Sequence, residues 1–195
     1  MEKGDHESWL ERPAETWFSK IKLIDILAII IIVLTLVTRL YMLGERVMSH
    51  DEVNHVVPSY DLYSGLGFRH DPVTHGPLQM HMIALTYFLL GDNDFTSRLP
   101  AAFLSTAAVV FVLFGFRRYL GNIGSLVGGV MFMISPYMMF YGRYARNEPY
   151  IMLFAVLMLY AILRYLEKGD KLSLFLLSLS IVLHFITKET AFIYT

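Results

Sequence analysis

Cysteine is absent from these 195 residues. Its absence removes disulfides, thiolate nucleophiles and cysteine metal sites together, and leaves the redox compartment open. Charge is scarce too: only 17% of residues are Asp, Glu, Lys or Arg, and the formal net charge is -1. A chain without a basic excess lacks the footprint that phosphate-backbone binding needs, so nucleic acid is not expected as a partner. There is no phosphate-cradling glycine loop, internal repeat or low-complexity tract; Gly-Asn-Ile-Gly at 121–124 is too short and too apolar to be a nucleotide fingerprint. A secretory signal is missing as well, because acidic residues such as Glu2, Asp5, Glu7, Glu11 and Glu15 precede the first apolar run.

What is present is apolar. The chain is 55% hydrophobic with a mean hydropathy of +0.50, well beyond an ordinary soluble domain, which assigns it to a bilayer. Residues 23–43 have about the 20-residue length a helix needs to cross hydrocarbon. Lys3, Arg12, Lys20 and Lys22 lie ahead of this run, so the positive-inside rule makes residues 1–22 a cytoplasmic tail, on which Trp9 and Trp17 could touch the membrane surface. Further apolar runs occupy residues 77–90, 99–116, 123–141, 150–165 and 172–187. The first of these is short and carries Gln79 and His81, the pattern of an interfacial or re-entrant segment. If it does not cross, Arg117, Arg118, Arg164, Lys168 and Lys171 all become cytoplasmic. The expectation is therefore an all-α polytopic membrane protein of about five spans in the cell membrane, its external loop covering 44–98. Residues 23–195 read as the N-terminal part of a transmembrane domain that looks cut short.

In that topology Asp51, Glu52, His75, Arg98, Arg143, Arg146 and Lys188 fall on one side of the membrane. Within the loop, Val53, Val56, Val57, Tyr60 and Tyr63 recur at helical spacing and suggest an amphipathic helix along the interface, limited by Pro58. Asp51 and Glu52 are adjacent, so on a helix they point in different directions. One of them can face a substrate and take a proton from a hydroxyl while the other makes a structural contact; an exposed helix N-terminus, where acids suit the dipole, accounts for the pair equally simply. Arg39, near the end of the first span, either snorkels to the interface or pairs with an anion. Arg143 and Arg146 are three apart and would share a helical face, with forks suited to phosphate. The histidines at 50, 55, 70, 75 and 81 raise a divalent-metal reading, but no pair has the His-x-x-x-His spacing, and locally hydrogen-bonded histidines are the simpler account. No cofactor is implied.

Taken in order, Asp51-Glu52 after a first span, His75-Gly76-Pro77-Leu78, Ser97-Arg98-Leu99-Pro100-Ala101-Ala102, Gly142-Arg143-Tyr144-Ala145-Arg146-Asn147-Glu148 and Thr187-Lys188 resemble the GT-C glycosyltransferases of the protein O-mannosyltransferase and aminoarabinose transferase type. The likeness is closest to flippase-activity-associated proteins of archaeal-type N-glycosylation. Two local departures stand out: His-Gly-Pro-Leu replaces the common His-Pro-Pro-Leu, and Glu148-Pro149 follows the arginine pair where an Asp is usual.

The resemblance implies transfer of a sugar, with inversion, from a polyprenyl-phosphate-linked donor to an acceptor hydroxyl of a glycan, lipid or protein on the extracytoplasmic face. It implies Asp51 as general base and Glu52 as its orienting partner or an acceptor contact. Arg39, His75, Arg98, Arg143, Arg146, Glu148 and Lys188 fall at the donor and its lipid phosphate. A non-catalytic accessory protein that binds lipid-phosphate-linked sugars is the alternative; it would keep the basic residues without needing Asp51.

Overall fold

The computed structural model describes residues 22–69 and 75–193. Residues 1–21 of the expected tail, with Trp9 and Trp17, and residues 70–74, with His70, lie outside the described residues. The described chain is all-α, with no strand: α1 (Leu23–Leu40), α2 (His50–Tyr63), α3 (Pro77–Leu90), α4 (Asp94–Gly115), α5 (Arg117–Ile134), α6 (Pro136–Tyr141), α7 (Glu148–Lys168) and α8 (Lys171–Thr187), closed by a 3-10 turn at Glu189–Ile193. It is a helical membrane protein. Among the described residues α1, α4 and α7 are long and apolar enough to cross a bilayer, while α3 and α8 are shorter apolar helices.

Helix α4 is the hub, packing against α1, α3, α5 and α7. Its buried face carries Ala101, Ala102, Ser105, Thr106, Ala108 and Val109, small side chains that let neighbouring helices approach closely. Pro100 lies inside this helix and has no N–H to offer the Thr96 carbonyl one turn back. The Thr86 hydroxyl of α3 donates to that carbonyl at 3.0 Å, so the proline defect becomes a tie between α3 and α4. Asn93 caps α4 by accepting from the Thr96 N–H.

Two expected boundaries move. Residues 123–141 form two helices, because Pro136 cannot continue α5 and the preceding Ser135 is extended (φ -52, ψ 125). Within α5, Gly121 adopts φ +70, a break that sets Arg117 and Arg118 apart from the apolar stretch. In α2, Glu52, His55 and Ser59 are buried against the bundle, and the apolar set Val53, Val57, Tyr60 and Tyr63 is left uncovered by protein. The polar stripe faces the bundle because α2 packs on α3 and meets Arg98 of α4.

The end of α1 and the start of α4 lie together, since Arg98 donates to the Leu43 and Arg46 carbonyls at 2.8 and 2.9 Å. The chain thus leaves α1 and enters α4 at the same end of the bundle. Thr187, closing α8, accepts from the Gly76 N–H at that end. The opposite end carries its own ion pairs, Arg117–Asp25, Arg118–Glu167 and Arg164–Asp170.

Candidate functional site

Ser49 starts the site by capping α2: its hydroxyl accepts from the Glu52 N–H at 3.3 Å, and the Glu52 carboxylate accepts from the Ser49 N–H at 3.1 Å. This capping box puts Asp51 and Glu52 in the first turn, suited to the helix dipole as well as to chemistry. Glu52 turns inward and is fully buried. Its Oε1 and Oε2 accept from Arg98 Nε and Nη2 at 2.7 and 3.0 Å, Arg46 Nη2 lies 2.9 Å from Oε2, and the Ala145 N–H donates to Oε1 at 3.2 Å. Burial pushes the Glu52 carboxyl up, but the Arg98 guanidinium and the N–H groups of Ser49 and Ala145 outweigh it and hold the group below its usual range. Glu52 and Arg98 therefore join α2, α4 and the 142–147 turn.

Asp51 turns the other way, with 54% of its side chain exposed, and its Oδ2 accepts from Arg146 Nη1 at 2.7 Å. Arg146 Nε stands 3.3 Å from Glu148 Oε2, and Lys188 Nζ stands 3.7 Å from Glu148 Oε1. The result is a row of alternating charge, Asp51, Arg146, Glu148, Lys188, running from α2 to the end of α8. His55 and His75 flank the row. His55 is buried, and burial together with the Arg146 charge pushes its imidazole down to about 4; its Nδ1 finds no hydrogen-bond partner among the described residues. His75 is lowered for the same first reason, burial, and then by Lys188. It sits at φ +64, a left-handed conformation that aims the chain into Gly76.

Gly76 explains the departure at His-Gly-Pro-Leu. Its N–H donates to the Thr187 carbonyl at 3.1 Å, a bond proline cannot make. A Cβ there would stand 2.2 Å from the Ile186 carbonyl oxygen. The backbone contact is what brings His75 beside Lys188.

Arg143 and Arg146 do not share a face. Helix α6 ends at Tyr141 and α7 begins at Glu148, so both lie in the intervening turn and diverge around Ala145. Arg146 reaches Asp51, whereas Arg143 donates to the Thr38 and Tyr41 carbonyls at 3.0 and 2.6 Å, closing the end of α1. Arg39 does not snorkel: it is fully buried and donates from Nη2 to the Met133 carbonyl at 3.0 Å. Met42, Leu43, Arg46, Arg98, Met139, Phe140 and Arg143 line a cavity of about 210 Å³ beside it. Arg46 was not singled out in the sequence; six residues before Glu52, it carried no pattern of its own. His81 is held locally by the Pro77 carbonyl at 2.8 Å, and among the described residues no three or more His, Asp or Glu gather as a metal set.

The described residues thus form a helical membrane bundle with acids and bases interleaved at one end. Residues 74–195 match the family described as dolichyl-phosphate-mannose-protein mannosyltransferase. The match spans more than half of the chain, which belongs to that family and so to the membrane glycosyltransferases. It begins at Thr74, so Asp51 and Glu52 precede it. No curated protein matches the chain.

Proposed function

We propose that the chain transfers a sugar, with inversion, from a polyprenyl-phosphate donor to an acceptor hydroxyl on the extracytoplasmic face, the acceptor being a glycan, lipid or protein. The supporting observation is the half-exposed Asp51 carboxylate against Arg146, in one row with Glu148 and Lys188. Asp51 is the general base. It swings from Arg146 to the acceptor, removes the hydroxyl proton, and the freed oxygen attacks the anomeric carbon from the face opposite the phosphate. The bond from that carbon to the phosphate oxygen breaks, and the lipid phosphate leaves with the electron pair.

Arg146 and Lys188 stabilise the charge that develops on the leaving phosphate, and His75 sits beside them. Glu148 keeps both cations in place. Glu52 and Arg98 act as positioning residues, since their polar atoms are already used on one another and on the backbone. The scheme needs no cofactor. The positive-inside rule supports the orientation, because Arg117, Arg118, Arg164, Lys168 and Lys171 gather at the other end.

The test is transfer of labelled sugar from a panel of polyprenyl-phosphate donors in membranes carrying the protein or its Asp51→Asn variant. Transfer that depends on Asp51 supports the scheme; equal transfer in both removes Asp51 as the base. Carrier binding without any transfer would favour the accessory role.

A further inference from the structure

The cavity at the end of α1 lies on the other side of the Glu52–Arg98 pair from Asp51. Arg46, Arg98 and Arg143 line it. Arg39 is near Arg143 but outside the lining; its Nε, buried and without a hydrogen-bond partner among the described residues, packs against Gly142. Among the described residues these four guanidiniums share a single carboxylate, Glu52, in ion pairs with Arg46 and Arg98. Arg39 and Arg143 bond only neutral oxygens, those of Thr38, Met133, Tyr41 and Met42. Buried or half-buried guanidiniums in such excess create a positive potential that the described residues leave uncompensated.

The rim states what kind of anion. Met42 and Phe140 are 54% and 51% exposed, and Met139 and Leu43 complete an apolar wall. Arg46 keeps 48% of its side chain exposed while lying over the Tyr144 ring at 4.8 Å. A cavity of about 210 Å³ exceeds by several-fold the roughly 30 Å³ share of one water. It offers guanidinium groups inside and apolar side chains at the mouth, at the end of the first apolar span.

We infer that this cavity is a second phosphate site, separate from the row at Asp51, and that it holds the phosphate of an anionic membrane lipid whose tails lie against Met42, Met139 and Phe140. Arg46 is the mobile clamp. Arg143, fixed by the carbonyls at the end of α1, supplies the floor, and Arg98 adds its charge from behind while its own hydrogen bonds stay on Glu52 and the backbone. Because the site reads lipid charge and not the reaction, it stands whether or not Asp51 proves to be a base.

The experiment is native mass spectrometry of the whole chain released from nanodiscs of mixed phosphatidylglycerol and phosphatidylcholine. Wild type is expected to retain one phosphatidylglycerol in preference to phosphatidylcholine. Arg46→Gln is expected to lower that retention about tenfold, the scale of one lost charge-assisted hydrogen bond. Met139→Glu leaves every arginine in place and puts a carboxylate at the mouth, so it guards against loss through misfolding and should abolish the preference. Lys168→Ala, an exposed lysine at the opposite end of the bundle, should leave retention unchanged. Equal retention of the two lipids by wild type, or unchanged retention in both Arg46→Gln and Met139→Glu, would overturn the site. Displacement of the lipid by an equal concentration of inorganic phosphate would overturn its assignment to a lipid.

Discussion

Glu52 and Arg98, on α2 and α4, face each other through two parallel hydrogen bonds of 2.7 and 3.0 Å, and neither is exposed to solvent. Removing Glu52 strands Arg98 as a buried, uncompensated charge, which costs about 3–5 kcal/mol, whereas removing Arg98 leaves Glu52 with Arg46 and costs toward the lower end of that range. Arg98→Met and Glu52→Gln should each lower the denaturant midpoint in micelles by a corresponding amount. The double variant should lose markedly less than the sum of the two, because no lone charge then remains. Additive losses would show that the pair does not act as a unit.

Arg146 and Lys188 meet the row from different elements, the 142–147 turn and the end of α8, and should behave alike. Arg146→Gln and Lys188→Ala are each expected to reduce transfer about 10²- to 10³-fold, the scale of losing one preorganised donor to developing charge. Both should also weaken retention of the polyprenyl-phosphate carrier during purification. Asp51→Asn differs: it should lose the rate, by about 10²- to 10⁴-fold, and keep the carrier. Parallel rate and binding assays on the three variants separate a base from a phosphate ligand.

The helices were largely legible in the sequence, and the site only in part. Residues 77–90 emerge as α3 with both ends as expected, since Pro77 and Gly91 mark the limits of an apolar run. The division of 123–141 was not anticipated, although Pro136 is the local signal for it. The inward face of α2 could not be read from periodicity, because what covers Glu52 and His55 is set by residues distant in sequence, Arg98 and Ala145. The same holds for Arg143 and Arg146: three-residue spacing places them on one face only if they are helical, and the chain there is a turn. Arg46 takes its meaning entirely from Glu52 and the Tyr144 ring.

Gly76 touches the α8 backbone so closely that any Cβ would collide with the Ile186 carbonyl at 2.2 Å. Gly76→Ala should force α3 and α8 apart, costing about 1–3 kcal/mol as over-packing does, and should move Lys188 from His75. Gly76→Pro should cost more, because it also deletes the N–H bond to Thr187. Thermal shift in micelles ranks the three forms; Ala as stable as Gly would contradict the close approach.

His55 should give the protein a stability loss on mild acidification. Its imidazole falls from an ordinary 6.5 to about 4 in the folded chain, through burial first and the neighbouring Arg146 second. Between those values the unfolded chain binds a proton that the folded chain refuses, so stability is complete above about pH 6.5 and declines as the pH drops toward 4, by about 3 kcal/mol at most. Glu52, also lowered, from 4.5, loses its contribution in a more acidic window, and Asp170, held down by Arg164, in one lower still. Denaturation in micelles at pH 7.0, 6.0 and 5.0 therefore reports the two lowered histidines, His55 and His75. His55→Gln should remove its own share of the slope across that range, leaving the share of His75 and the decline below pH 4.5 in place; a wild-type profile already flat between 7 and 5 would show that His55 takes up its proton without disturbing the fold.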